Sequence, residues 1–311
     1  MSFEEQVKFA NEVFINSVLS GEIKTAQEQG NVFLRRRVRE DGVAREIIPP
    51  VPITKEDLTQ RVENDQPGVI VEMEPSSPGA MSMTFQDNNP PFFYIRGKRF
   101  WVDLFKISSR PARKSEVELA TWRSDVKALL AEMLVKDLSW EEDATFINSC
   151  NTLLGGVADG TNIMNGLVQW REINGGIDRT TIMDAFRYAF VPPSRIPITK
   201  ILCNGATLAE LAKMDRIELG GDDAQNILYE GWSKRPINNA TVIGSIKREL
   251  IEDDTMYFFG DGNFIGRFFV FMEPSLYIKK EDDEIQFRAR EVIGMAIGHG
   301  DGVHRFDFVT T

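Results

Sequence analysis

The sequence predicts an α+β fold in which helix-forming and strand-forming stretches are segregated along the chain. Three observations carry this reading. Apolar residues recur at three- and four-residue spacing from 114 to 154, the pattern of a long amphipathic helix. Residues 67–108 are rich in β-branched and aromatic side chains interrupted by proline and glycine, and from Ala240 onward six or seven short β-type runs follow one another. Helices gathered in one part of a chain and strands in others point to α+β rather than to alternating βαβ units.

The elements follow in order. Phe3, Val7, Ala10, Val13, Phe14, Ile15 and Val18 lie near helical spacing, so residues 3–30 read as helix, weakened by Gly21 and Gly30. A basic stretch, Arg35-Arg36-Arg37 with Arg39, leads into Ile47-Ile48-Pro49-Pro50-Val51-Pro52, whose prolines forbid helix and keep the segment extended. This arm has no core of its own and is expected to lie on something else. Deleting residues 1–45 is therefore expected to leave the core folded. Val69–Met73 reads as strand, Met81, Met83 and Phe85 alternate with polar residues, and Phe92–Ile95 and Arg99–Ile107 flank a hairpin turn at Arg96-Gly97-Lys98. Ser115 followed by Glu118 opens the strongest helix as a capping box. Leu119, Met133, Leu134, Trp140, Ala144, Ile147 and Leu154 form its apolar stripe, as one long helix or two consecutive ones divided at Ser139. Further on, Thr180–Phe190 and Ala206–Met214 read as helices and Ile198–Cys203 as a buried strand. The C-terminal strands are expected at Val242–Leu250, Thr255–Phe259, Phe268–Met272, Leu276–Lys279, Ile285–Arg290, Val292–Ile297 and His304–Val309, with the charged run Glu281-Asp282-Asp283-Glu284 as a solvated loop tip.

Composition narrows the function. Of 311 residues, 42% are hydrophobic and 27% charged, which argues against wholesale disorder and allows two domains or one elaborated one. The net charge of −11 argues against a protein whose main task is gripping phosphate backbones. Cys150 and Cys203 are 53 residues apart, read as two buried thiols rather than as zinc ligands, with a disulfide as the alternative. The N-terminus lacks a signal-peptide pattern and no apolar run is long enough to span a bilayer, so a soluble protein made in a cytoplasm is expected. Gly155-Gly156…Asp159-Gly160 lacks the ending of a phosphate loop and reads as a helix stop. Asp261–Gly266 lacks two ligands of a calcium loop and reads as a β-turn. Both histidines fall in His299-Gly300-Asp301-Gly302-Val303-His304, which reads as a solvated turn. As a flexible turn it is a poor metal site, and it leaves little choice of general base. No catalytic residue, metal site or cofactor is expected.

The order of these pieces resembles the major capsid proteins of tailed bacteriophages of the Hong Kong 97 type. The closest likeness lies in Thr255–Asp261, Phe264–Phe268, Glu284–Arg290 and Val292–Ile297, similar to that family's closing strands. Ile198–Cys203 followed by Asn204–Leu211 is similar to its strand-then-helix element. The resemblance implies an N-terminal arm at 1–61, an extended β loop at 62–113 lying across a neighbouring subunit, a peripheral domain with a long spine helix at 114–174 and 284–311, and an axial domain at 175–283. It implies a non-enzymatic shell protein of the virion, assembled in the host cytoplasm. Its partners would be its own copies in hexamers and pentamers, with portal, scaffolding and decoration proteins and packaged double-stranded DNA held without sequence readout. Members of that family are often made with a removable scaffolding segment. A chain starting at Met1 is expected to lack one or to receive it as a separate protein. Arg35, Arg36, Arg37 and Arg39 suit ion pairs across an interface, with nucleic acid as the other candidate partner. Phe92, Phe93, Trp101 and Phe105 are many aromatics for a protruding loop and are expected at inter-subunit contacts. Three other readings stand beside this one: an encapsulin-type nanocompartment shell, a hydrolase or metal-dependent enzyme using the His299–His304 turn, and a tail or baseplate component.

Overall fold

A computed structural model describes residues 13–20, 22–24, 26–28, 42–60, 66–72, 99–121, 126–154, 163–164, 167–190, 196–212, 236–281, 283–298 and 300–309. Two sheets dominate it. Sheet one contains β1 (Pro50–Pro52), β2 (Thr59–Gln60), β3 (Pro67–Glu72), β4 (Arg99–Ser108), β5 (Ala112–Ser115), β13 (Gly266–Glu281) and β14 (Glu284–Ile297), in the order β1-β13-β14-β4-β3-β2 with β5 also on β14. Sheet two runs β10-β11-β9-β12-β15-β8. These strands are β8 (Trp170–Asn174), β9 (Lys200–Asn204), β10 (Pro236–Ile237), β11 (Ala240–Ser245), β12 (Thr255–Phe259) and β15 (Val303–Val309). A separate small pair joins β6 (Ile163–Met164) to β7 (Leu167–Val168).

The helices are α1 (Val43–Ile47), α2 (Glu116–Thr121), α3 (Val126–Leu154), α4 (Arg179–Ala189), α5 (Gly205–Ala212) and α6 (Gly262–Ile265). The Ser115 hydroxyl accepts the Glu118 N–H at 3.2 Å, one half of the expected capping box. α3 continues through Ser139 without a break, its hydroxyl bonded back to the Lys136 carbonyl. α4 starts at an Asp178 cap, matched by Thr181 in a reciprocal box.

α3 packs between the two sheets. Phe146, Ile147, Cys150 and Leu154 share one cluster with Phe268, Ile285, Phe287 and Ile293 of sheet one and with Tyr257, Phe259 and Val303 of sheet two. The rings of Phe146 and Phe259 are 5.6 Å apart. The other face of sheet two carries α4 and α5, where Ile182, Phe186 and Leu211 meet Ile201, Cys203, Met256, Phe258 and Phe306. Sheet two is thus covered on both faces. That is why β12 reads as an unbroken apolar run and has all five residues buried.

Several sequence expectations are corrected here. The four strands expected between Phe268 and Ile297 are two long ones in a single hairpin. Glu273 and Pro274, which lie between two of the expected strands, sit at a register shift between Met272 and Ser275, where proline's missing donor is tolerated inside a continuous strand. Glu281 pairs with Glu284 at the hairpin tip, where a solvated loop was expected, and β15 belongs to sheet two. Val242–Leu250 is strand only to Ser245. Asp261–Gly266 is a helical turn capped by the Asp261 carboxylate rather than a β-turn. The proline segment is extended, as expected, but it pairs in parallel with Phe268–Val270 of the same chain, at the sheet edge where proline fits. Phe14, Val18 and Ala26 are buried in the main core, so a deletion of 1–45 removes core side chains and does not spare the fold.

The strap formed by α1 and β1 passes close to α6. A Cβ added at Gly262 would lie 2.2 Å from the Ile47 carbonyl oxygen and 3.0 Å from Pro49 Cδ. Gly262→Ala is expected to lower unfolding free energy by about 1–3 kcal/mol in urea denaturation. Wild-type stability in that variant would show that the close approach is not a constraint.

Candidate functional site

The strap is anchored by charges rather than by apolar contact alone. α1 has only five residues and cannot hold itself as a helix. At its N-terminus the Asp143 carboxylate accepts the N–H groups of Ala44 at 2.8 Å and Val43 at 3.3 Å. Lys247, from the loop after β11, donates to Asp143 at 2.5 Å and to the Ser139 carbonyl at 2.8 Å. At the other end the Lys200 ammonium donates to the carbonyls of Glu46 and Ile47. From the middle, Arg45 reaches inward, 7% exposed, and splits its guanidinium between two carboxylates. Nε donates to Glu142 of α3 at 2.7 Å and Nη2 to Glu291 of β14 at 2.9 Å, with the Phe268 ring 5.5 Å away.

Both carboxylates are fully buried, and each keeps one oxygen without a hydrogen-bond donor. Burial is the first cause that raises both pKa values. Glu142 is pushed from 4.5 to about 8, with Glu291 adding repulsion, and Glu291 is pushed to about 7, each opposed by Arg45. One guanidinium faces two buried carboxyls, so near neutrality the pair retains a proton. These partners lie 97 and 246 positions from Arg45, separations that no local pattern reveals.

The expected site residues fall in different places. Arg35, Arg36, Arg37, Arg39, Phe92, Phe93 and His299 lie outside the described residues, as do Gly155–Gly160. Trp101 and Phe105 share one face of β4. Trp101 is half-buried, its indole N–H donating to Asp103 at 2.6 Å, beside a hollow of about 170 Å³ lined by Val71, Phe100 and Phe264. Phe105 is half-buried against the main core. His304 does not sit in a solvated turn. It is 2% exposed on β15, stacked 6.2 Å from Phe306, and burial pushes its pKa down to about 4. The thiols of Cys150 and Cys203 are buried and unpaired, both driven upward by burial, Cys203 to about 12, which makes them poor nucleophiles. Among the described residues no three His, Cys, Asp or Glu side chains are placed to hold a metal ion. No helix there is long and apolar enough to cross a membrane.

Sequence reasoning missed the exposed apolar residues of α3. Met133 and Trp140, counted on its buried stripe, are 54% and 39% exposed. Trp140 and the almost fully exposed Ile246 line a groove between α3, α1 and the loop after β11. Their position between α3 and a loop about 110 residues away left no periodic signal.

The network sets a pH dependence. An acid whose folded-state pKa is raised holds its proton more tightly folded than unfolded, so folding stability falls as pH rises from the usual carboxylate range through about 8. Thermal unfolding of the wild type is expected to shift downward between about pH 6 and about pH 9, and Glu291→Gln is expected to flatten that slope. Equal slopes in both proteins would remove the network as its source. Arg45→Met leaves the carboxylates unpaired and is expected to destabilise by about 3–5 kcal/mol near neutral pH, measured by chemical denaturation.

No family model and no curated protein matches the chain. Solved structures do match it. A virus-like particle protein from Pyrococcus furiosus superimposes with a TM-score of 0.57 at 14% identity, covering 90% of this chain and 98% of that one. The Gordonia phage Cozz structure matches with a TM-score of 0.55 at 9% identity over 87% of each chain. The mature capsid of bacteriophage PhiM1 gives 0.54 at 8% identity, over 86% of this chain and 87% of that one. The resemblance read from the sequence is borne out at the level of fold: this chain has the fold of phage major capsid proteins.

Proposed function

We propose that the chain is a shell-building capsid protein whose copies assemble into a closed icosahedral container. The observation that carries this reading is the match along 90% of this chain and 98% of the Pyrococcus furiosus particle protein, supported by the phage capsids matched over similar lengths. The finer assignment is the Hong Kong 97 type, with the shell enclosing the double-stranded DNA of a tailed phage. It takes hexamers and pentamers of this chain, with portal, scaffolding and decoration proteins as further partners. Assembly is non-covalent and the protein is not an enzyme. An arm, an extended loop and exposed apolar side chains such as Ile70, Phe100, Trp140 and Ile246 suit many small contacts summed over repeated interfaces. Arg35, Arg36, Arg37, Arg39, Phe92, Phe93, Trp101 and Phe105 are the proposed inter-subunit contacts. Residues 1–61 are the proposed arm and 62–113 the proposed loop across a neighbour.

A second reading keeps the shell and changes its contents, because the Pyrococcus furiosus match is a virus-like particle. In that reading the shell is a nanocompartment around a protein cargo.

Electron microscopy of the chain expressed alone and with its neighbouring genes tests both. Closed particles, or rings of five and six copies, are expected. Nucleic acid inside particles purified with those genes supports the phage shell, and a co-purifying enzyme supports the nanocompartment. Monomers or dimers under every condition would overturn the shell reading, while tubes would favour a tail component.

A further inference from the structure

The face of sheet one turned away from α3 carries cations that form no ion pair among the described residues. Burial alternates along β14, with Ile285, Phe287, Ala289 and Glu291 buried and Gln286, Arg288 and Arg290 half-buried on the opposite face. The register sets Tyr277 beside Arg288, Ser275 beside Arg290, and Lys106 one step further along beside Val292. The guanidinium carbons of Arg288 and Arg290 lie 5.3 and 5.0 Å from the centre of the Tyr277 ring, so one aromatic ring braces both. Among the described residues neither arginine nor Lys106 forms an ion pair, and the Nε atoms of both arginines lack an acceptor. Nearer the tip, Arg113 pairs with Glu284 and Lys279 with Glu281.

In a chain with a net charge of −11, three neighbouring cations without an ion pair among the described residues mark a surface shaped for a partner's anions, although Lys106 also lines a hollow with Asp137 and Glu141 of α3. The same hairpin supplies a matching group. Glu281 and Glu284 at its tip are about half exposed, and Asp283 between them is exposed without an ion pair among the described residues.

We propose that the strip formed by Lys106, Arg288 and Arg290 around Tyr277 receives the acidic hairpin tip of a second copy of this chain. The proposal rests on the shell reading and adds to it a contact and its polarity. Tip on stem is a heterologous contact, in which every copy gives one surface and receives on another, so a rotation that closes produces a ring. A protein tip fits this face better than a nucleic acid does. The strip is short, and its near end bears the carboxylates of Glu281, Asp283 and Glu284, which disfavour a phosphate backbone running along it.

The test uses the full chain under conditions in which the wild type forms particles, with circular dichroism to verify folding. Arg288→Glu with Arg290→Glu is expected to cut particle yield by about tenfold or more, and so is Asp283→Lys with Glu284→Lys. Combining all four substitutions, which restores complementarity with the signs exchanged, is expected to recover most of that yield. Should the glutamate variant misfold, Arg288→Gln with Arg290→Gln serves instead, read as the loss of the wild type's sensitivity to salt. Normal yield from the arginine variants, or no recovery in the fourfold variant, overturns the proposal and leaves the shell reading intact. Binding of a short DNA duplex that is lost in the arginine variants while assembly is unchanged overturns it in favour of nucleic acid. A wild type that never associates overturns both.

Discussion

Everything in this architecture depends on α3 having apolar surface to bury in two directions. A helix that faces one sheet needs a single apolar stripe. α3 faces two, so Phe146, Ile147, Cys150 and Leu154 meet side chains from both sheets in one continuous cluster. Sheet one then has a single face left for other contacts, and sheet two, with α4 and α5 on its far side, has none. The division of labour between a sealed sheet and a half-open one follows from that placement.

The polar residues of α3 complete the arrangement. Glu142 and Asp143 are adjacent in sequence and both buried, yet they do different things: Asp143 receives the N-terminus of α1 and Lys247, whereas Glu142 shares Arg45 with Glu291. Isolated burial of either carboxylate would be strongly unfavourable. Together they convert a short, proline-bounded segment into a fixed strap that ties α3 to β13 and β14. The strap is thereby held in its seat from three sides, at its N-terminus by Asp143, at its C-terminus by Lys200 and from its middle by Glu142 and Glu291.

Much of the fold was legible because local signals and tertiary environment agreed. Thr255–Phe259 is a strand buried on both faces and reads as one, and Arg179–Ala189 carries its cap, its stripe and its stop within a dozen residues. The failures share a cause. Pro274 reads as a terminator but lies in a bulge, because pairing with β14 continues on either side of it. His304 sits next to glycines, which suggest solvent, but β15 is an interior strand of sheet two. Met133 and Trp140 fit the helical period and still face outward, because a stripe wide enough for two sheets has edges that neither covers. Of the candidate site, the sequence displayed the aromatics of β4 as single residues. The Arg45 network and the arginine strip are made by register and by long-range pairing, and neither leaves a trace in spacing.

The parallel pairing of Pro50–Pro52 with Phe268–Val270 also orders events in time. A strand near residue 50 that waits for a partner near residue 270 cannot dock while the ribosome is still making the middle of the chain. The seat for Arg45 is likewise incomplete until Glu291 has been synthesised and folded into the hairpin. Contacts of such long sequence separation form late, since loop closure has to precede them. That hairpin is made after the strap and after α3. A nascent chain therefore holds its strap unseated until the hairpin that bears Glu291 has been made and folded.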